Sequence, residues 1–336
     1  MNLSSIKLQD YYRIIALFFL FGLPVYGFTF YILNNFFISD SYGYSSYWDF
    51  AKSASSLSVA HGALLGYLGS DDLGYTLIIW LAAKLPFSRY EFLSILNALV
   101  VTLTIFFFCK KSSQLPIFYG ILFLGYYFPS LIIAPERLHL SVFLIIISFF
   151  FSSYPIRLSI TVLAILTHSS SSFFLLGIYI YLYYDQLKLV FIRFFSGRLA
   201  STYVWRLPVL VLFCVLFIFF NSFILVKISS YVSFYFGLKQ ISAVVLVVIA
   251  YYFRIASAPL ALSCACTLLC SFAVLGAYID RTLMFLYFLY VIDYLALNKH
   301  NRQQNLAFAF LLLWTASKSL VFYADILNGG GGYGSS

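Results

Sequence analysis

From Leu207 to Phe220 the chain carries no charged residue and no alternation of polarity, and apolar runs of this kind recur along its length. Runs of about 15–22 residues match the helix length that crosses ~30 Å of hydrocarbon. A transmembrane β-barrel would instead show strands of about 10 residues with alternating polarity. Composition agrees, since 63% of the 336 residues are hydrophobic and only 9% are charged, where a soluble domain carries about a quarter charged residues. Too few charges are present to cover a soluble globule of this size. The sequence predicts an all-α polytopic membrane protein.

Candidate spans lie at 11–34, 91–109, 115–133, 138–153, 157–170, 172–185, 207–226, 240–253, 257–278, 281–297 and 305–325, about 11 transmembrane helices. Several are short, which suits tilted or incomplete helices held by neighbours. The first, near Tyr11 to Leu33, is too long for a signal-peptide core and reads as a retained span. The apolar stretch 72–86 is ambiguous by length. Positive charge decides its reading. With the N-terminus in the cytoplasm and 72–86 lying on the outer face, 12 Lys and Arg fall inside and 7 outside, Lys318 remaining within a span. Counting 72–86 as a span would invert that balance.

The organisation that follows is a single transmembrane domain over 1–328. It has a long first outer loop, 35–90, with interfacial helices, a basic cytoplasmic loop, 186–206, and a flexible tail, 329–336. The net charge of +9 then reflects topology and anionic headgroups, not nucleic acid. The five cysteines sit within or at the ends of apolar spans and read as packing, not as a disulfide framework or a metal site. No metal or cofactor motif is present, so the expectation is no cofactor.

Eight of the eleven carboxylates fall on the outer face, which points to a polar site there. Asp40 ends the first span at the interface, where partial desolvation suits a carboxylate to general-base work; simple helix termination is the alternative. Asp71 and Asp72 precede the apolar 72–86 segment and read either as ordinary caps or as a second acidic group facing the same cleft. In Pro135-Glu136-Arg137-Leu138-His139 the proline forces a turn that presents Arg137 at the start of the next helix. Arginine suits a diphosphate because its planar fork donates parallel hydrogen bonds and stays charged; pairing with Glu136 is the other reading. His168 opens a run of four serines between apolar helices, costly in hydrocarbon unless the groups line a polar cavity. Asp280 and Arg281 sit at another outer helix end, and His61 and His300 read as surface residues.

Taken in order, Asp40-x-x-x-Tyr44, Asp72-x-Gly74-Tyr75, Arg137, His168-x-Ser170 and Arg281 resemble the EpsG-like branch of Wzy-type bacterial polysaccharide polymerases, which make O-antigen or capsule. That family usually has Glu where Asp72 stands. The first outer loop, with an acid after the first span and two surface helices, also resembles the GT-C glycosyltransferase architecture.

The resemblance implies a glycosyltransferase of the bacterial inner membrane with its active site facing the periplasm. It would transfer the growing chain from undecaprenyl diphosphate onto the next lipid-linked repeat unit, with no nucleotide sugar. Such an enzyme works among membrane lipids, with a flippase and a chain-length regulator as partners. The roles that follow are Asp40 as general base with Asp72 in reserve, His168 assisting proton transfer, and Arg137 and Arg281 binding diphosphate. Tyr44, Tyr75, Glu136, His139, Ser170 and Asp280 would contact the lipid-linked substrate. A single displacement implies inversion at the anomeric carbon. A lipid-linked-oligosaccharide flippase and a membrane O-acyltransferase acting on the glycan are the competing classes.

Overall fold

The computed structural model describes residues 8–36, 41–111, 130–131, 136–148, 151, 153–168, 171–195, 245, 247–275, 279–296 and 301–328. Regular structure among them is helical. Contacts divide the chain into two compact units, Met1–Ser171 with Phe308–Ser336, and Ser172–Ala307.

The first unit opens on a rod made of α1 (Leu8–Leu17), one π turn (Phe18–Gly22) and α2 (Leu23–Asn35). Pro24 has no N–H to offer the preceding turn, and the π turn ahead of it absorbs that interruption without breaking the rod. Gly22 lets the rod approach α6 (Arg89–Lys111) closely, because a Cβ there would stand 2.5 Å from Thr102 Oγ1 and 3.2 Å from the Ala98 carbonyl.

Three helical stretches among the described residues are long and apolar enough to cross a membrane: Gln9–Asn35, Arg89–Phe106 and Arg302–Leu327. The last is α13, whose Tyr323 ring meets Phe28 of the rod edge-on, 5.5 Å between centroids. The outward faces of the rod and α13 carry Tyr12, Phe19, Phe310, Leu313 and Leu320, all well exposed. Exposing that much apolar area to water costs about 25 cal/mol per Å², a cost that contact with lipid removes.

Other expected spans correspond to shorter helices: α7 (Glu136–Ser148), α8 (Tyr154–Thr167), α9 (Ser171–Leu182), α11 (Ala258–Leu275) and α12 (Ile279–Ala296). The expected spans 115–133 and 207–226 lie almost wholly outside the described residues, and 240–253 lies partly outside them.

Three helices between the rod and α6 pack together: α3 (Ser41–Ser53), α4 (Leu57–Leu68) and α5 (Leu73–Ala82). The Ser56 hydroxyl accepts the Val59 N–H at the start of α4, and Gly69 ends it in the left-handed conformation with φ 57°. Tyr47, Trp48, Leu64, Tyr75 and Ile79 form the shared core, which Leu96 of α6 and Leu140 of α7 complete. At 10 residues, α5 is about 15 Å long, half the thickness of the hydrocarbon layer.

In the second unit α9 lies tight against α11 and α12, since a Cβ on Gly177 would meet Thr267 Oγ1 at 2.6 Å and Leu289 Cδ1 at 2.8 Å. The amphipathic α10 (Tyr184–Phe195) precedes the undescribed segment. Asp293 is buried on α12 and accepts a 2.6 Å hydrogen bond from Ser257.

Candidate functional site: a charged cluster at the ends of three helices

Asp72 stands at the N-cap position of α5, yet its side chain makes no capping bond. One oxygen, Oδ2, instead accepts from the Ser70 hydroxyl at 2.5 Å and from Arg137 Nη1 at 2.7 Å. His168 Nδ1 lies 3.9 Å from that same oxygen, a contact longer than a hydrogen bond. Oδ1 has no partner among the described residues. Burial works against the carboxylate charge, but the neighbouring His168, the Arg137 guanidinium and the Ser70 hydroxyl outweigh it. Together they hold the Asp72 carboxyl at about 2.

Each group reaches the cluster for a local reason. Gly74 allows α5 to touch the end of α8, since a Cβ there would stand 2.6 Å from the Thr167 backbone nitrogen. That approach sets Asp72 beside His168, the residue that caps α8 in extended conformation with its N–H bonded to the Ala164 carbonyl at 3.1 Å. Ser141 of α7 donates to the same Ala164 carbonyl at 2.7 Å, tying α7 to α8 and so Arg137 to His168. Arg137, in the first turn of α7, donates through Nε to the Tyr44 hydroxyl at 3.2 Å and through Nη1 to Asp72. Its Nη2 makes no hydrogen bond among the described residues. Burial disfavours the Arg137 charge, and Tyr44 and Asp72 more than restore it, so the group stays a cation.

A second ion pair lies behind the first. Arg89 donates to Glu136 Oε2 through Nη2 at 2.7 Å and Nε at 3.1 Å, while Tyr75 donates to Oε1 at 2.9 Å. Arg89 also donates to Ser45 at 2.7 Å, and its guanidinium lies 5.8 Å from the centre of the Tyr44 ring. The side chains of Arg89 and Glu136 are 7% and 4% exposed, so this pair is shielded from solvent.

Asp72, Arg137, His168, Tyr44, Tyr75 and Glu136 are therefore brought together from segments far apart in the chain. Two of them, Glu136 and Tyr75, spend their polar atoms on each other and on Arg89. Both Glu136 oxygens are engaged within the protein, and Tyr75 is wholly buried with its hydroxyl on Glu136, so these two residues position the cluster. His139 is buried too, with no hydrogen-bond partner for Nε2 among the described residues. Asp40 and Ser170 lie outside the described residues, as do the side chains of Asp280 and Arg281.

Arg89 was not singled out from the sequence, because its only local mark is one cation at a helix start and its partner is 47 residues away. His61, read as a surface residue, is half-buried between Asp71 Oδ1 at 2.9 Å and Thr76 Oγ1 at 3.2 Å. No group of three or more His, Cys, Asp or Glu among the described residues could hold a metal ion. No family model matches this chain, and comparison with curated proteins and solved structures found no match.

Proposed function

We propose that this chain is a Wzy-type membrane glycosyltransferase of GT-C-like architecture, with about 11 spans and an active site on the periplasmic side of a bacterial inner membrane. It polymerises undecaprenyl-diphosphate-linked repeat units. An acceptor hydroxyl attacks the anomeric carbon of the growing chain, and the bond from that carbon to the diphosphate breaks. The electron pair leaves with the lipid diphosphate, and the hydroxyl proton passes to a base. Such a reaction needs a cation for the leaving group and a proton acceptor near the same point.

The observation that carries this reading is the convergence of Arg137, Asp72 and His168, with N–H capacity on Arg137 and an oxygen of Asp72 left unengaged among the described residues. Arg137 binds the diphosphate, and Arg281 is the second cation assigned to it. Asp40 is the base that the resemblance assigns. His168 assists, because an imidazole can both take and give a proton. In its paired state Asp72 is too weak a base for this step, and its part there is to hold Arg137. Arg89, Glu136, Tyr75 and Tyr44 fix the arrangement from behind.

The test is a reaction with purified protein and its lipid-diphosphate repeat unit as sole substrate. A ladder of products, formed without nucleotide sugar and with one lipid diphosphate released per bond, supports the polymerase. No ladder from folded protein and authentic substrate removes it. Movement of the lipid-linked unit across liposomes would then establish the flippase.

A further inference from the structure

We propose that Asp72 occupies the diphosphate's place on Arg137, and that binding of the substrate diphosphate displaces it onto His168. The inference rests on the proposed function for the identity of the natural ligand and goes beyond it in coupling ligand binding to the setting of the catalytic histidine.

The argument starts from how Arg137 divides its donors. Nε is held by the Tyr44 hydroxyl, Nη1 by Asp72 Oδ2, and Nη2 by no described group. If Nη1 is released while Nε stays on Tyr44, the Nη1–Nη2 edge presents two adjacent donors. That edge is the fork suited to two oxygens of a phosphate. Asp72 is thus the one group among the described residues standing in the way. A diphosphate carries more charge than a single carboxylate and can take both donors at once, so the exchange favours the ligand.

The displaced carboxylate has a destination. Ser70 holds Oδ2 at 2.5 Å, and His168 Nδ1 stands at 3.9 Å on the same oxygen. A movement of about 1 Å brings that pair within hydrogen-bond range. A carboxylate on Nδ1 fixes the orientation of an imidazole and stabilises its protonated form. Donor binding at Arg137 and readiness of His168 then become one event.

Binding of inorganic pyrophosphate to the full chain in detergent, measured by calorimetry, tests this with no glycosyl transfer involved. Asp72→Asn removes the competing charge and is expected to bind pyrophosphate about tenfold more tightly than the wild type, within the usual range of coupling between sites. The gain should vanish in Asp72→Asn combined with Arg137→Met. Ser70→Ala, which loosens the carboxylate without removing it, should give a smaller gain and serves if Asp72→Asn does not fold. Equal or weaker binding by Asp72→Asn, or no gain in Ser70→Ala where that variant must serve, overturns the exchange. So does a gain that survives loss of Arg137. A product ladder without the pyrophosphate effect would keep the polymerase and remove the exchange. The pyrophosphate effect without a ladder would keep the exchange and remove the polymerase.

Discussion

Glu136→Gln is the most informative single change to stability. In the wild type Glu136 Oε2 takes two N–H bonds from Arg89, and Oε1 takes the Tyr75 hydroxyl. Glutamine keeps the shape and one carbonyl oxygen. If that oxygen stays on Tyr75, the new amide NH2 faces the Arg89 guanidinium, donor against donor. If it turns to Arg89, the Tyr75 hydroxyl loses its acceptor. Either way the Arg89 cation, 7% exposed, loses the Glu136 charge where little water can replace it. Removing one partner of a buried pair costs about 3–5 kcal/mol. An exposed pair would cost no more than about 1 kcal/mol, so the two cases separate clearly. The assay is thermal and denaturant unfolding of the purified chain in detergent, followed by tryptophan fluorescence. Replacing Arg89, Glu136 and Tyr75 together with Met, Leu and Phe should lose less than Glu136→Gln alone, because the guanidinium, the carboxylate and the phenol hydroxyl that face one another are then removed together. A Glu136→Gln protein within about 0.5 kcal/mol of the wild type would refute the reasoning, since that is the range of ordinary surface substitutions.

Other outcomes follow from the same geometry. Gly74→Ala places a methyl group 2.6 Å from the Thr167 nitrogen, so α5 must move off α8; a loss of about 1–3 kcal/mol in unfolding free energy is expected, with a fall in turnover as Asp72 leaves His168. The carboxyl of Asp72 is held at about 2, below its ordinary 3.8. Its stabilising contribution is therefore complete above about pH 4 and lost as pH falls toward 2. The stability gap between wild type and Asp72→Asn should be flat from pH 7 to 5 and close in acid; a gap that closes near neutrality contradicts the pairing. Leu313, exposed on α13, should face lipid. Leu313→Cys, in a background free of the other cysteines, should react with a membrane-permeant thiol reagent and resist a charged one; rapid reaction with the charged reagent would place that face in water.

The helical membrane character was legible because hydrocarbon demands long apolar helices, and the rod, α6 and α13 meet that demand in both length and hydropathy. Shorter elements were harder to read. The run at 138–153 reads as a span, whereas its helix covers Glu136–Ser148, because apolar composition marks burial without saying whether lipid or neighbouring helices provide it. Asp72 shows the limit of local pattern. Ser-Asp-Asp before a helix looks the same whether the acid caps the backbone or reaches another segment, and only Gly74 packing on Thr167 decides between them. The Tyr44, Tyr75, Arg137 and His168 positions were singled out in the sequence by their order, and the structure gathers them around Asp72. The Arg89–Glu136 pair was illegible because its partners lie 47 residues apart on different helices, and no local rule links them.

The most direct test of the central claim is the rate at which purified wild type and Arg137→Lys release undecaprenyl diphosphate from the lipid-linked repeat unit, compared at equal amounts of folded protein. Lysine keeps the positive charge and loses the two-pronged edge. A fall of about tenfold or more, worth about 1.4 kcal/mol at the transition state, is the result expected if Arg137 grips the departing diphosphate. Equal rates would contradict that role and move the chemistry away from the Asp72–Arg137–His168 cluster.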